Sequence, residues 1–212
     1  MSIYNSRTEK ILQILEILYP HDGKCFLNYN EPWQLLFATI LSAQCTDNMV
    51  NKVTAELFVK FPALKDFAYC DVSLLEECVR PTGFYRTKAA NLKKTAKKLI
   101  DDFGGQLPSD ITSLTSLAGV GRKTANVVRG HIFNIPSIVV DTHVKRVSFR
   151  LGLTKETDPV KIEFELMDTL PKENWIAYNQ QIILHGRKVC ASQKPKCKIC
   201  ELNLHCAVKA DK

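Results

Sequence analysis

The stretch from Leu114 to Arg150, LTSLAGVGRKTANVVRGHIFNIPSIVVDTHVKRVSFR, restricts the possible folds more than any other part of the chain. It predicts helix, tight turn, helix, short apolar run and third helix. Ile111, Leu114 and Leu117 recur at i, i+3 and i+6, near one face of a short helix. Gly119-Val120-Gly121 breaks that helix. Two glycines around one apolar residue permit positive φ and close backbone approach, and Arg122 to Phe133 has the composition of a fresh helix.

A helix that starts from a glycine turn presents unpaired N–H groups and the positive end of its dipole. Gly119, Val120, Gly121 and Arg122 therefore form a candidate seat for a phosphate. Lys123 lies in the first turn of the new helix, where the dipole disfavours a cation; burial would push its amine further towards the neutral, nucleophilic form. Asp141 ends the apolar run Ile138-Val139-Val140 and precedes Thr142-His143-Val144, so it is a candidate N-cap, a candidate catalytic carboxylate, or both.

Charge points to the class of partner. The chain has 212 residues, with 29 Lys and Arg against 22 Asp and Glu, a net charge of +7, which favours a polyanion. No apolar segment reaches membrane-spanning length. The N-terminus, MSIYNSRTEKILQILEILYP, reads as an amphipathic helix rather than a signal peptide, so the expected location is intracellular.

Elsewhere the chain alternates helical patterns with polar turns. Asn30-Glu31-Pro32 opens a helix reaching about Ala43, and Thr46 or Asp47 can cap the next. Between them Gln44 is left at an exposed junction. Phe84 lies in the turn Arg80-Pro81-Thr82-Gly83-Phe84-Tyr85-Arg86, where it either packs under the loop or inserts into a partner. Arg86, Lys88, Lys93, Lys94, Lys97 and Lys98 follow on a helix and read mostly as its solvated face. Further helices begin at Asp158-Pro159 and at Trp175. Ser137 to Val140 is the nearest candidate for a strand and is too short to build a sheet, so the expected class is all-α.

Four of the eight cysteines are scattered, at 25, 45, 70 and 78; the other four crowd into the last 23 residues. Cys190, Cys197, Cys200 and Cys206, spaced Cys-x6-Cys-x2-Cys-x5-Cys, can close around one metal centre, and the spacing alone suits zinc or an iron-sulfur cluster. Arg187, Lys188, Lys194, Lys196 and Lys198 lie in or beside this loop. Fixing it would make a rigid phosphate clamp, with Arg187 and Lys194 as candidate contacts; it would also staple a segment too polar to fold alone.

Together, LAGVGRKTANVV, VDTHVKRVSFR, LSAQCTD and the cysteine spacing resemble the helix-hairpin-helix DNA glycosylase superfamily, its endonuclease III branch in particular. Ala118 departs from the proline usual there, and Cys45 from a small residue. The resemblance implies two helical lobes flanking a DNA-binding groove: a central domain of residues 25–135, and a discontinuous one of residues 1–24 with 136–212 that carries a [4Fe-4S] cluster on the four cysteines. It implies Lys123 as the nucleophile, Asp141 as the aspartate, and Gln44 and Phe84 as residues that fill the duplex when a nucleotide is turned out. The implied activity is removal of oxidised pyrimidines with abasic-site cleavage, by a monomer acting on double-stranded DNA that carries a damaged base or abasic site, nucleoid-associated in a prokaryote. Two rival readings are a monofunctional mismatch or adenine glycosylase and a non-catalytic, metal-stapled DNA-binding protein.

Overall fold

The computed structural model describes residues 6–208, and every regular element among them is helical. The first five residues of the expected N-terminal helix and the last four of the chain lie outside that range. In chain order the helices are α1 (Ser6–Leu18), α2 (Pro32–Leu41), α3 (Asp47–Lys60), α4 (Leu64–Tyr69), α5 (Val72–Val79) and α6 (Tyr85–Phe103). They continue with α7 (Ile111–Thr115), α8 (Arg122–Phe133), α9 (Thr142–Arg150), α10 (Pro159–Thr169) and α11 (Trp175–Lys188). The chain divides into two units, Cys25–Ile135 and Met1–Lys24 with Pro136–Lys212.

Local capping chemistry sets where many of these helices begin. The side chains of Thr46, Asp71, Asp110, Asp141 and Asp158 each accept a backbone N–H two or three residues on, opening α3, α5, α7, α9 and α10. Each cap is worth about 1 kcal/mol relative to alanine. Of the two candidates before α3, Thr46 is the cap, accepting from Met49 at 3.3 Å.

In the unit Cys25–Ile135, α2 is buried at every position from Gln34 to Leu41, as a helix enclosed on all sides must be. Trp33 and Phe37 of α2 meet each other, Phe58 of α3 and Phe67 of α4 in edge-to-face contacts, with ring centroids 4.9 to 6.5 Å apart. Helix α6 packs on α2, α4 and α5, and α8 on α2 and α7. Helix α2 stops at Leu41, two residues short of the expected end, because Ser42 turns its hydroxyl back to the Thr39 carbonyl and the chain then bends into left-handed backbone at Gln44.

The other unit packs α1 and α9 against α11. Ile11, Leu15, Val144, Val147, Ile162, Leu166, Tyr178, Ile182 and Leu202 form its centre. Ser137 to Val140 is no strand. Its backbone is satisfied by a side chain instead: Asn179 of α11 accepts from the Val139 N–H and donates to the Ser137 carbonyl, both at 2.9 Å.

Candidate active site

The turn before α8 is built as its glycines suggest, with one difference. Gly119 has φ +76°, which strains any other residue, and a Cβ there would meet the amide end of Asn91 at 2.6 Å, so that side chain would have to shift. Gly121 instead has φ −90° and ψ 176°, an extended conformation open to any residue, and no atom lies within 4 Å of a Cβ built on it. Its lack of a side chain leaves open surface in front of the α8 N-terminus, room for an approaching anion. Val120 turns its side chain into the core, so only its backbone faces outward chemistry. Arg122 is half-buried, and Lys123 is exposed at the second position of α8; burial of its amine is not supplied by the protein alone.

Gln44 and Phe84 stand at two turn tips in the same unit. Both have left-handed backbone, φ +53° and +47°, which costs a non-glycine residue about 1–3 kcal/mol. Phe84 is 65% exposed, so the alternative of a core aromatic under the loop is excluded. Gln44 is also exposed.

The helix that follows Phe84 corrects an expectation. Lys88 does not belong to a solvated face: it is 4% exposed, and its Nζ donates to the Leu41 carbonyl at 2.8 Å and to the Thr82 carbonyl at 2.7 Å. Burial pushes its pKa down. Lys93 likewise reaches the Cys70 carbonyl at 2.6 Å, whereas Lys97 and Lys98 pair with Asp101 and Asp102 on the surface as expected. A signal for Lys88 was present in the pattern. Lys88, Leu92, Thr95 and Leu99 recur at i, i+4, i+7 and i+11, so the lysine lies on the buried stripe of α6.

Asp141 caps α9. Its Oδ1 accepts the Val144 N–H at 2.7 Å, and the residue is half-buried, delivered by the run that Asn179 holds. The cap is therefore real, and it engages one of the two carboxylate oxygens.

All four clustered cysteines line one cavity of about 140 Å³ in their own unit, together with Arg150, His185 and Leu202. Among the described residues, no three His, Cys, Asp or Glu side chains are gathered as ligands of a single metal ion. Arg150 donates to the Cys190 sulfur at 3.3 Å and to the Ala191 and Ser192 carbonyls, tying α9 to the loop. Burial first, and then the neighbouring cysteines, push the Cys200 and Cys206 thiols up. His185, close to Cys200, is held neutral by burial, its pKa pushed down to about 4. Arg187 and Lys194 are exposed, Lys194 in left-handed backbone with φ +47°.

Comparison with known proteins follows the same lines. Residues 37–172 match the model of the HhH-GPD superfamily of base excision DNA repair proteins. The chain is 49% identical to endonuclease III of Synechocystis sp. over 95% of its own length and 92% of that protein's. It is 44% identical to endonuclease III of Bacillus subtilis over 87% and 84%. Among solved structures, a trapped endonuclease III–DNA covalent intermediate in an estranged-adenine complex superposes with a TM-score of 0.89 at 41% identity, covering 96% of both chains. The hairpin, the helical architecture and these similarities agree: this chain belongs to the HhH-GPD superfamily of base excision DNA repair proteins.

Proposed function

We propose that this chain is a bifunctional DNA glycosylase that removes oxidised pyrimidines from double-stranded DNA and then cleaves the abasic site. The observation that carries the reading is Lys123, an exposed amine one residue into the helix that follows the Gly119–Gly121 turn, in a chain 41% identical to an endonuclease III whose solved structure is a covalent intermediate with DNA. The turn and the α8 N-terminus would take a backbone phosphate, Arg187 and Lys194 others, which places the strand without reading its sequence. Gln44 and Phe84 would fill the space of the extruded nucleotide.

The chemistry asks for few groups. The neutral amine of Lys123 attacks C1′ of the sugar; the glycosidic bond breaks, and its electron pair leaves with the base, which takes up a proton. The lysine nitrogen gives up a proton, and the C1′–O4′ bond of the resulting aminal breaks with its electron pair leaving on O4′, which is protonated, so that nitrogen and C1′ form an iminium; this acidifies the C2′ hydrogen, and its loss expels the 3′ phosphate by β-elimination. Bound DNA would supply the desolvation that exposed Lys123 lacks. Asp141, with one oxygen on its cap, supplies negative charge that stabilises the sugar cation or assists deprotonation of the amine.

Cys190, Cys197, Cys200 and Cys206 would hold a [4Fe-4S] cluster. Four cysteine thiols lining one cavity are the donor set that such a cluster takes. The cluster would staple the loop that presents the basic residues.

Duplexes carrying an oxidised pyrimidine, an A·G mismatch or only an abasic site separate the readings. Base release followed by strand cleavage on the first supports this one. Release from the mismatch without cleavage indicates a monofunctional enzyme, and tight binding without any release indicates a DNA-binding protein alone.

A further inference from the structure

The turns that carry Gln44 and Phe84 are joined by a single side chain. The Leu41 carbonyl ends α2, where the last four carbonyls have no partner within the helix, and the Thr82 carbonyl ends the 3-10 turn Arg80–Thr82. Lys88 donates to both. Gln44 follows the first acceptor by three residues, and Phe84 follows the second by two. Both tips sit in left-handed backbone, a conformation that persists in non-glycine residues only where the surroundings hold it.

An ammonium suits this place. It carries three donors directed apart, so it can donate to carbonyls arriving from two separate segments, and its charge meets the negative end of the α2 dipole. Its stem is anchored in the core by the same stripe of α6 that buries Leu92, Thr95 and Leu99. Both partners in these bonds are neutral, so no ion pair repays the burial of the charge. What the buried amine gains instead is the link itself, since an apolar side chain there would leave both carbonyl ends without this donor.

We propose that Lys88 is a positioning residue for duplex opening: by tying the ends of α2 and the 3-10 turn together, it fixes the Gln44 and Phe84 tips relative to one another so that both enter the gap as one unit. The inference rests on the reading of Gln44 and Phe84 as gap-filling residues. Without the link each tip relaxes separately, and the step that suffers is extrusion of a paired base rather than chemistry at the sugar.

The test compares Lys88→Met, Gln44→Ala, Phe84→Ala and the double variant Lys88→Met/Gln44→Ala. Single-turnover excision of a paired oxidised pyrimidine is measured beside incision of a preformed abasic site in the same duplex. Lys88→Met is expected to lower excision about tenfold more than incision, and the double variant to be little worse than its poorer parent, because both changes disable one device. Equal losses on the two substrates, or independent, multiplying effects in the double variant, would overturn the proposal. Selective losses in Gln44→Ala and Phe84→Ala without one in Lys88→Met would remove the Lys88 role alone. Unselective losses in Gln44→Ala and Phe84→Ala would remove the gap-filling reading and the Lys88 role with it. Should Lys88→Met not fold, Lys88→Gln, which retains a donor, takes its place; failure of both to fold would make Lys88 a general stability residue and overturn the proposal.

Discussion

The Thr95 hydroxyl on α6 donates to the Ala118 carbonyl at 2.9 Å, pinning the residue that enters the Gly119 turn. Ala118 lacks the ring that would stiffen this position in a proline, and the hydrogen bond restrains it from a neighbouring helix. Thr95→Val keeps the side-chain shape and leaves the carbonyl without its donor. It should cost about 1–3 kcal/mol, read as a lower melting temperature. DNA affinity should weaken to a similar extent on damaged and undamaged duplexes, because a phosphate seat carries no sequence information. A destabilised variant with unchanged DNA affinity would separate the turn from binding.

Asp141 combines a demonstrated cap with a proposed catalytic charge, and two substitutions separate the roles. Asn caps about as well as Asp, so Asp141→Asn should leave thermal stability nearly unchanged while lowering single-turnover excision by about 100-fold or more. Asp141→Ala should lose both, with about 1 kcal/mol of stability gone. An active but unstable Asp141→Ala, beside a fully active Asp141→Asn, would leave Asp141 as a cap only.

Helix α7, which leads into the turn, begins on an acid-sensitive cap. The Ser113 backbone N–H, donating at 2.8 Å, holds the Asp110 carboxyl below the usual carboxylate range. The folded state therefore favours the ionised form. Its contribution is fully present above the unfolded value, about pH 4, and is lost as pH falls through the lower folded value. Asp110→Asn keeps an acceptor without the titration, so the acid limb of its stability profile should be shallower than that of the wild type. An unchanged acid limb would place the titration elsewhere.

If the four cysteines hold an iron-sulfur cluster, the purified protein is yellow-brown, with iron and sulfide in equal amounts. Cys197→Ser should lose the absorbance and fold poorly, since the loop then lacks its staple. Colourless, folded protein containing zinc would overturn the cluster assignment.

Elements fixed by short-range chemistry were legible in the sequence. Helix α8 begins and ends at the expected residues, and the caps at Thr46, Asp141 and Asp158 are local hydrogen bonds written in neighbouring residue types. Lys88 has the charge of a surface residue and the periodicity of a buried one, and periodicity prevails. What brings its amine inward is a pair of carbonyl ends contributed by other segments, and no local pattern encodes where those ends meet. The role of Asn179 is hidden from local pattern for a similar reason: its two partners, Ser137 and Val139, lie about forty residues earlier in the chain. Spacing groups the four cysteines, and all four line one cavity. Gly121 looked like a second positive-φ glycine, but one left-handed residue at Gly119 suffices to turn the chain.

The central claim is that Lys123 forms a covalent bond to the sugar. Borohydride reduction during reaction with abasic duplex DNA, followed by digestion and mass spectrometry of the linked peptide, tests it most directly. The account predicts a stable adduct mapped to Lys123 in the wild type, and no adduct in Lys123→Gln despite near-normal DNA binding. An adduct that persists in Lys123→Gln, or that maps to another amine in the wild type, would contradict it.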